Sequence, residues 1–190
     1  MEKTNFWNEA AKYGAIIGAL LVVSAICEMY LQMAGNYTIF ILEWLLVVVV
    51  HYYLLHRYTK RRSLMYSAEE GYTFGQAYSY LVVVSLFSGV WLGLVSYFYR
   101  HFIVGYETYM TKTIAGMSQL ISQGGIPSSM SGMYNNLFTQ LQNTPEPSIL
   151  NTIGGGVMSS VLFGALFGLI IAGVLSREPK LFKSDDNQTK

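Results

Sequence analysis

Apolar positions along this chain come in long unbroken runs rather than in alternation. Four runs are long enough to cross a bilayer: about residues 13–33, 38–55, 77–103 and 153–175. A hydrocarbon core about 30 Å thick needs roughly 20 mostly apolar helical residues. A membrane β-barrel would instead show alternating segments of about ten residues. Val47 to Val50 is strand-like by composition, but it sits inside a run too long and too uniformly apolar for that reading. The pattern therefore predicts an all-α polytopic membrane protein with four transmembrane helices. The third run is the longest, so its helix tilts or extends beyond the lipid. The first run is too long for the core of a cleaved secretory signal, lacks a small-x-small cleavage site and is followed by further spans.

Residues 104–152, between the third and fourth runs, follow a different rhythm. Tyr106, Tyr109, Met110, Ile114, Met117, Leu120 and Ile121 recur at helical spacing, and Met130, Met133, Tyr134, Leu137, Phe138 and Leu141 form a second stripe. Gly124-Gly125-Ile126-Pro127 breaks the two, Ser128 or Ser129 can cap the second, and Pro145 and Pro147 end it. The segment reads as an amphipathic helical hairpin. Its stripes need cover from each other, from the membrane surface or from a partner. Its methionines could bind Cu(I) through soft thioethers, but flexible filler in an apolar stripe is far commoner. Neither a metal nor a cofactor is expected.

Charge adds orientation. Only 12% of the 190 residues are charged, 52% are hydrophobic, and the formal net charge is +1. The mean hydropathy is +0.34. A soluble domain carries roughly 25% charged residues. These figures argue against disorder, nucleic-acid binding and an ordinary soluble enzyme. Ten of the twelve basic residues fall on one side of the four spans: Lys3, Lys12, Arg57, Lys60, Arg61, Arg62, Arg177, Lys180, Lys183 and Lys190. The positive-inside rule then puts both termini, the basic loop 56–76 and the tail 176–190 in the cytoplasm, with 104–152 outside. Arg57, Lys60, Arg61 and Arg62 read as a topogenic cluster that also meets anionic headgroups. Cys27 is the one cysteine. The bulky Ile26 before it does not suit lipidation, and it reads as a small buried hydrophobe.

Ionisable residues inside a bilayer are functional hypotheses by default. Glu28 and Glu43 are equally far from a tight turn at Gly35-Asn36, so an antiparallel pair puts them at one depth, about 7–10 Å below the membrane end. Arg100 and His101 arrive near the same end of the third span. The cluster reads as a Glu–Arg ion pair fixing the bundle, as unconnected interfacial side chains, or as a proton or cation site. His51 lies about 80° around the helix from Glu43 and reads as a hydrogen-bonded bundle histidine rather than a relay.

Small residues recur every fourth position: Gly14 and Gly18; Ser85, Gly89 and Gly93; and Gly156, Ser160, Gly164, Gly168 and Ala172. Such faces let helix backbones approach closely, within the chain or across a homo-oligomer. Gly154-Gly155-Gly156 reads as a loop end. Ser67-Ala68-Glu69-Glu70 is a capping-box pattern that predicts a helix start leading into the third span.

Gly71-Tyr72-Thr73-Phe74-Gly75-Gln76-Ala77-Tyr78 follows. This element, a short basic loop, four spans and a long loop before the fourth resemble a family of Bacteroidetes-type bacteria known as domain of unknown function 4199. The resemblance covers nearly the whole chain. It implies a bacterial inner-membrane location, no activity and no catalytic residues. It also implies a membrane-associated glycosyltransferase as a candidate partner. No nucleophile–base arrangement, metal-ligand spacing or nucleotide loop appears, so an enzyme is not expected. The expected role is an accessory or scaffold subunit assembling through the small-residue face of the fourth span and the outer hairpin. The alternative is a small oligomeric transporter or channel using Glu28 and Glu43.

Overall fold

The computed structural model describes residues 5–122, 131–143 and 145–179. Lys3, Lys180, Lys183, Lys190, the Gly124 to Pro127 break, the Ser128 or Ser129 cap and Met130 lie outside the described residues. Among the described residues there are six α-helices: α1 Phe6–Met33, α2 Tyr37–Ser63, α3 Phe74–Phe98, α4 Tyr106–Ser122, α5 Ser131–Asn143 and α6 Ile149–Leu175. A π-helical segment, Tyr99–Val104, continues α3. Four of these helices are long and apolar enough to cross a membrane: α1, α2, the 31-residue Phe74–Val104 and α6. The fold is thus the all-α membrane bundle the hydropathy pattern predicts.

Local chemistry sets the helix ends. Asn5 caps α1 by accepting the Trp7 N–H at 3.0 Å. Asn36 caps α2, and Gly35 before it has φ +67°, a left-handed conformation that glycine adopts at little cost. The two helices therefore fold back directly on one another. The apolar run of α2 ends near residue 55, but the helix continues two turns to Ser63. Lys and Arg are good helix formers and are favoured in a last turn by the helix dipole.

The start of α3 corrects the expectation at Ser67. Ser67 and Glu70 do exchange the two bonds of a capping box, Glu70 N–H to Ser67 Oγ at 3.2 Å and Ser67 N–H to Glu70 at 3.3 Å. The turn they make stops at Gly71, which has φ +67° and packs against the backbone of Arg177 and Pro179. A second box starts the helix. Thr73 N–H donates to Gln76 Oε1 at 2.9 Å, and Thr73 Oγ1 accepts the Gln76 N–H at 3.3 Å. The Gly154 to Gly156 run is also not a loop end. Ser148 accepts the Asn151 N–H at 3.2 Å and starts α6 at Ile149, so the glycines lie inside the helix.

The core is α3, packed between α1 and α6. The small residues make that packing possible. A Cβ on Gly89 would come 2.6 Å from the Val157 Cα, and one on Gly156 would come 2.6 Å from the Gly93 nitrogen. A Cβ on Gly14 would lie 2.5 Å from the Phe87 Cβ, and one on Gly18 would lie 2.9 Å from the Trp91 Cβ. Gly164 faces the Ser85 side chain, Gly168 faces Tyr78, and Ala172 is fully buried with Tyr72 and Ala77. The small-residue face of α6 is therefore covered by α3 of the same chain. A Ser88–Ser160 hydrogen bond of 2.7 Å crosses the same contact.

At the end of the bundle near the termini, Ala10, Tyr13, Ile17, Leu55, Tyr80, Leu81, Val84 and Ile171 form the main apolar cluster. Tyr72 exchanges backbone bonds with Arg177 (2.9 and 2.8 Å) and is fully buried, which pushes its hydroxyl well above the normal tyrosine range. The outer surfaces of α2 (Leu42, Leu46, Val49) and α6 (Leu162, Leu166, Ile170) are open, as lipid-facing surfaces of a bundle are. Cys27 is exposed too, correcting its reading as a buried residue: it falls on the α1 side turned away from α3. At the other end α4 crosses the α1–α2 turn. Gly116 lies directly against the Gln32 carbonyl and Gly35, and Tyr109 is buried. The α4 stripe is thus taken up by α1. The α5 stripe is not, and Met133 and Leu137 stay open.

Candidate functional site

Glu28 and Ser24 are one turn apart on α1, and Glu43 faces them from α2. The Ser24 hydroxyl donates to Glu43 Oε1 at 2.7 Å and lies 3.4 Å from Glu28 Oε1. A hydroxyl carries one proton, so it can donate to only one of the two carboxyl groups at a time. The second Glu43 oxygen is buried without a protein partner. The two glutamates are therefore bridged by one serine, in the part of the bundle that the hydropathy places inside the membrane.

Two cavities meet at Glu28. The deeper one, about 140 Å³, is lined by Ser24, Glu28, Trp44, His51, Ser159 and Ser160, among others. The second, about 410 Å³, shares Ala25, Glu28, Leu92 and Ser159 with it and reaches Ser96, Arg100, Pro147, Asn151 and Thr152 at the α4–α5 end. One water needs only roughly 10–15 Å³ of such space. The polar lining comes from α1, α2, α3 and α6, so all four spans are needed to build it. Gly93 and Gly156, by letting α3 and α6 touch, fix its α3–α6 wall.

The remaining members of the expected cluster go elsewhere. Arg100 is not paired with either glutamate. Its Nε donates to Met29 Sδ at 3.3 Å and its guanidinium lies 5.4 Å from the Tyr109 ring centre. His101 stacks between Tyr97 (3.9 Å) and Tyr106 (5.3 Å), its Nδ1 bonds the Tyr97 carbonyl at 2.8 Å, and its Nε2 lies 2.9 Å from Glu146 Oε1. Partial burial, with Glu146 adding to it, pushes the Tyr106 hydroxyl above its ordinary pKa.

His51 departs from its reading as a hydrogen-bonded bundle residue. It is 4% exposed, its Nε2 is buried without a hydrogen-bond partner, and it lines the deeper cavity. In the basic cluster, Arg57, Lys60 and Arg61 are exposed, but Arg62 is buried and forms an ion pair with Glu9. The Arg62 guanidinium also lies against the Phe6 and Tyr80 rings, at 5.0 and 4.9 Å. Sequence reasoning missed Glu9. The available signal was its position: Glu9 and Arg62 are equally far from the α1–α2 turn. Among the described residues, no three His, Cys, Asp or Glu side chains converge as metal ligands.

No curated protein and no solved structure matches this chain. One family does, described as a protein of unknown function (DUF4199), and it matches over residues 12–177. With most of its length inside that match, the chain belongs to the DUF4199 family.

Proposed function

We propose that this membrane protein takes up a proton or small cation at Glu28 and Glu43, as the coupling site of a small transporter. One observation carries this reading: two carboxyl groups from different spans share the Ser24 hydroxyl beside a polar cavity. Carboxylates at membrane depth mark ion and proton pathways. The α6 small-residue face is covered by α3, which supports packing within the chain and leaves the hairpin as the surface for a scaffold reading. Charge distribution supports cytoplasmic termini, which opens the wider cavity to the outside, and the family resemblance implies a bacterial inner membrane. The reading is non-enzymatic. Four spans are few for a transporter, so a homo-oligomer belongs to it.

The test is reconstitution into liposomes with an inside-negative potential. Wild-type protein should acidify the lumen faster than protein-free liposomes do. Glu28→Gln with Glu43→Gln should return the rate to background while folded yield holds. Equal rates for wild type and the double variant would give the glutamates a packing role.

A second reading, an accessory subunit, is supported by the open Met133 and Leu137 on α5. Its partner would be another membrane protein, with a membrane-associated glycosyltransferase as the candidate. Mild-detergent purification with mass spectrometry tests it: a stoichiometric second protein supports it, and its absence counts against it.

A further inference from the structure

We propose that His51 is the inner terminus of a water-filled half-channel that carries protons past Glu28 from the α4–α5 end of the bundle. This rests on the reading of Glu28 and Glu43 as a proton or cation site and narrows it to the proton. His51 is almost fully enclosed, and its Nε2 has no protein partner although it lines the cavity that Ser24 and Glu28 also line. A buried ring nitrogen left unpaired is costly, and water in that cavity satisfies it. The space is several times what one water needs. From Glu28 the wider cavity continues toward Arg100 and Asn151.

Past His51 the route closes. The ring packs edge-on against Phe167 at 5.9 Å. Beyond it lie Leu55, Tyr80, Leu81 and Ile171, each essentially inaccessible. Water therefore has a polar path from one end of the bundle and an apolar seal toward the other. The groups facing His51 favour a proton over a metal cation. Its neighbour α1 supplies Glu28, the one ionisable group besides His51 among the described residues lining the cavity. Its own helix supplies Glu43, bound through Ser24. The facing α6 supplies Ser159, Ser160, Phe163 and Phe167, and α3 supplies Leu92. Among the described residues, Glu28, Glu43 and His51 do not converge as three ligands of one cation. An imidazole that lines a water-holding cavity together with a carboxyl group can accept and return a proton.

The experiment uses the full chain with Cys27→Ala and single cysteines, in membrane vesicles of both orientations. A small cationic methanethiosulfonate is the probe. Ala25→Cys reports the junction of the two cavities, Val48→Cys the deeper cavity, Val84→Cys the seal and Val49→Cys the lipid face. Ala25→Cys and Val48→Cys should be labelled from one side only, and Val84→Cys and Val49→Cys from neither. Ser159→Cys replaces Ala25→Cys if that variant does not fold. In lipid nanodiscs the ring nitrogen signals of His51, assigned by their loss in His51→Gln, should move as the pH is lowered, and the midpoint should shift in Glu28→Gln.

Labelling at Ala25→Cys without Val48→Cys overturns the half-channel and leaves the glutamate site standing. Labelling at neither overturns both. Full labelling with His51 signals that stay fixed on acidification overturns the histidine terminus.

Discussion

Arg62 reaches back from the last turn of α2 to Glu9 near the start of α1, with the rings of Phe6 and Tyr80 on either side. Breaking a buried ion pair by removing one partner typically costs about 3–5 kcal/mol. Arg62→Ala should therefore lower stability on that scale in a denaturant titration of the detergent-solubilised protein. Arg57→Ala, at an exposed position of the same cluster, should stay within about 0.5 kcal/mol. Equal effects would show that the cluster acts only through its summed charge. The same geometry explains what the residues alone revealed. Glu28 and Glu43 could be placed together because both are equally distant from Gly35-Asn36. Glu9 and Arg62 obey the same relation, but Arg62 sits in a run of basic residues whose topogenic reading was already sufficient. His51 could be located in depth, but its unpaired nitrogen depends on which side chains of three other helices surround it.

At the scale of the helices, small residues decide which spans touch. A side chain at Gly164 collides with Ser85, whereas one at Gly173 enters open space. Gly164→Leu should cost about 1–3 kcal/mol or more by forcing α3 and α6 apart, and Gly173→Leu should leave thermal unfolding unchanged. Similar loss in both would place α6's glycine register outside the bundle's packing. The start of α3 makes a separate case. Two capping boxes lie six residues apart, at Ser67 and Thr73, and only the second is followed by helix. Thr73→Ala should cost roughly 1 kcal/mol and Ser67→Ala much less, read from unfolding midpoints. Spans, the hairpin helices and the α1–α2 turn were legible because each follows from local periodicity or from glycine and asparagine chemistry. Helix ends were less so. The choice between the two boxes is made by Gly71 packing on Arg177 and Pro179, a contact across more than a hundred residues of chain.

For the whole molecule, the direction in which the cavity opens depends on orientation in the bilayer. Within the bundle, the wider cavity reaches Arg100, Pro147 and Asn151 on the side of α4 and α5. The opposite end carries Arg57, Lys60 and Arg61 and the apolar seal. Basic residues near span ends are retained on the cytoplasmic side, so the polar path should face outward and the seal inward. Single cysteines at Met133 and Glu69 in a Cys27→Ala chain test this, because both native residues are exposed and lie at opposite ends. In intact cells, a membrane-impermeant maleimide should label Met133→Cys directly and Glu69→Cys only after the membrane is opened. The reverse pattern would turn the cavity toward the cytoplasm. Protons would then enter His51 and the glutamates from the inside, and the same residues would release them on the side where the sequence now places uptake.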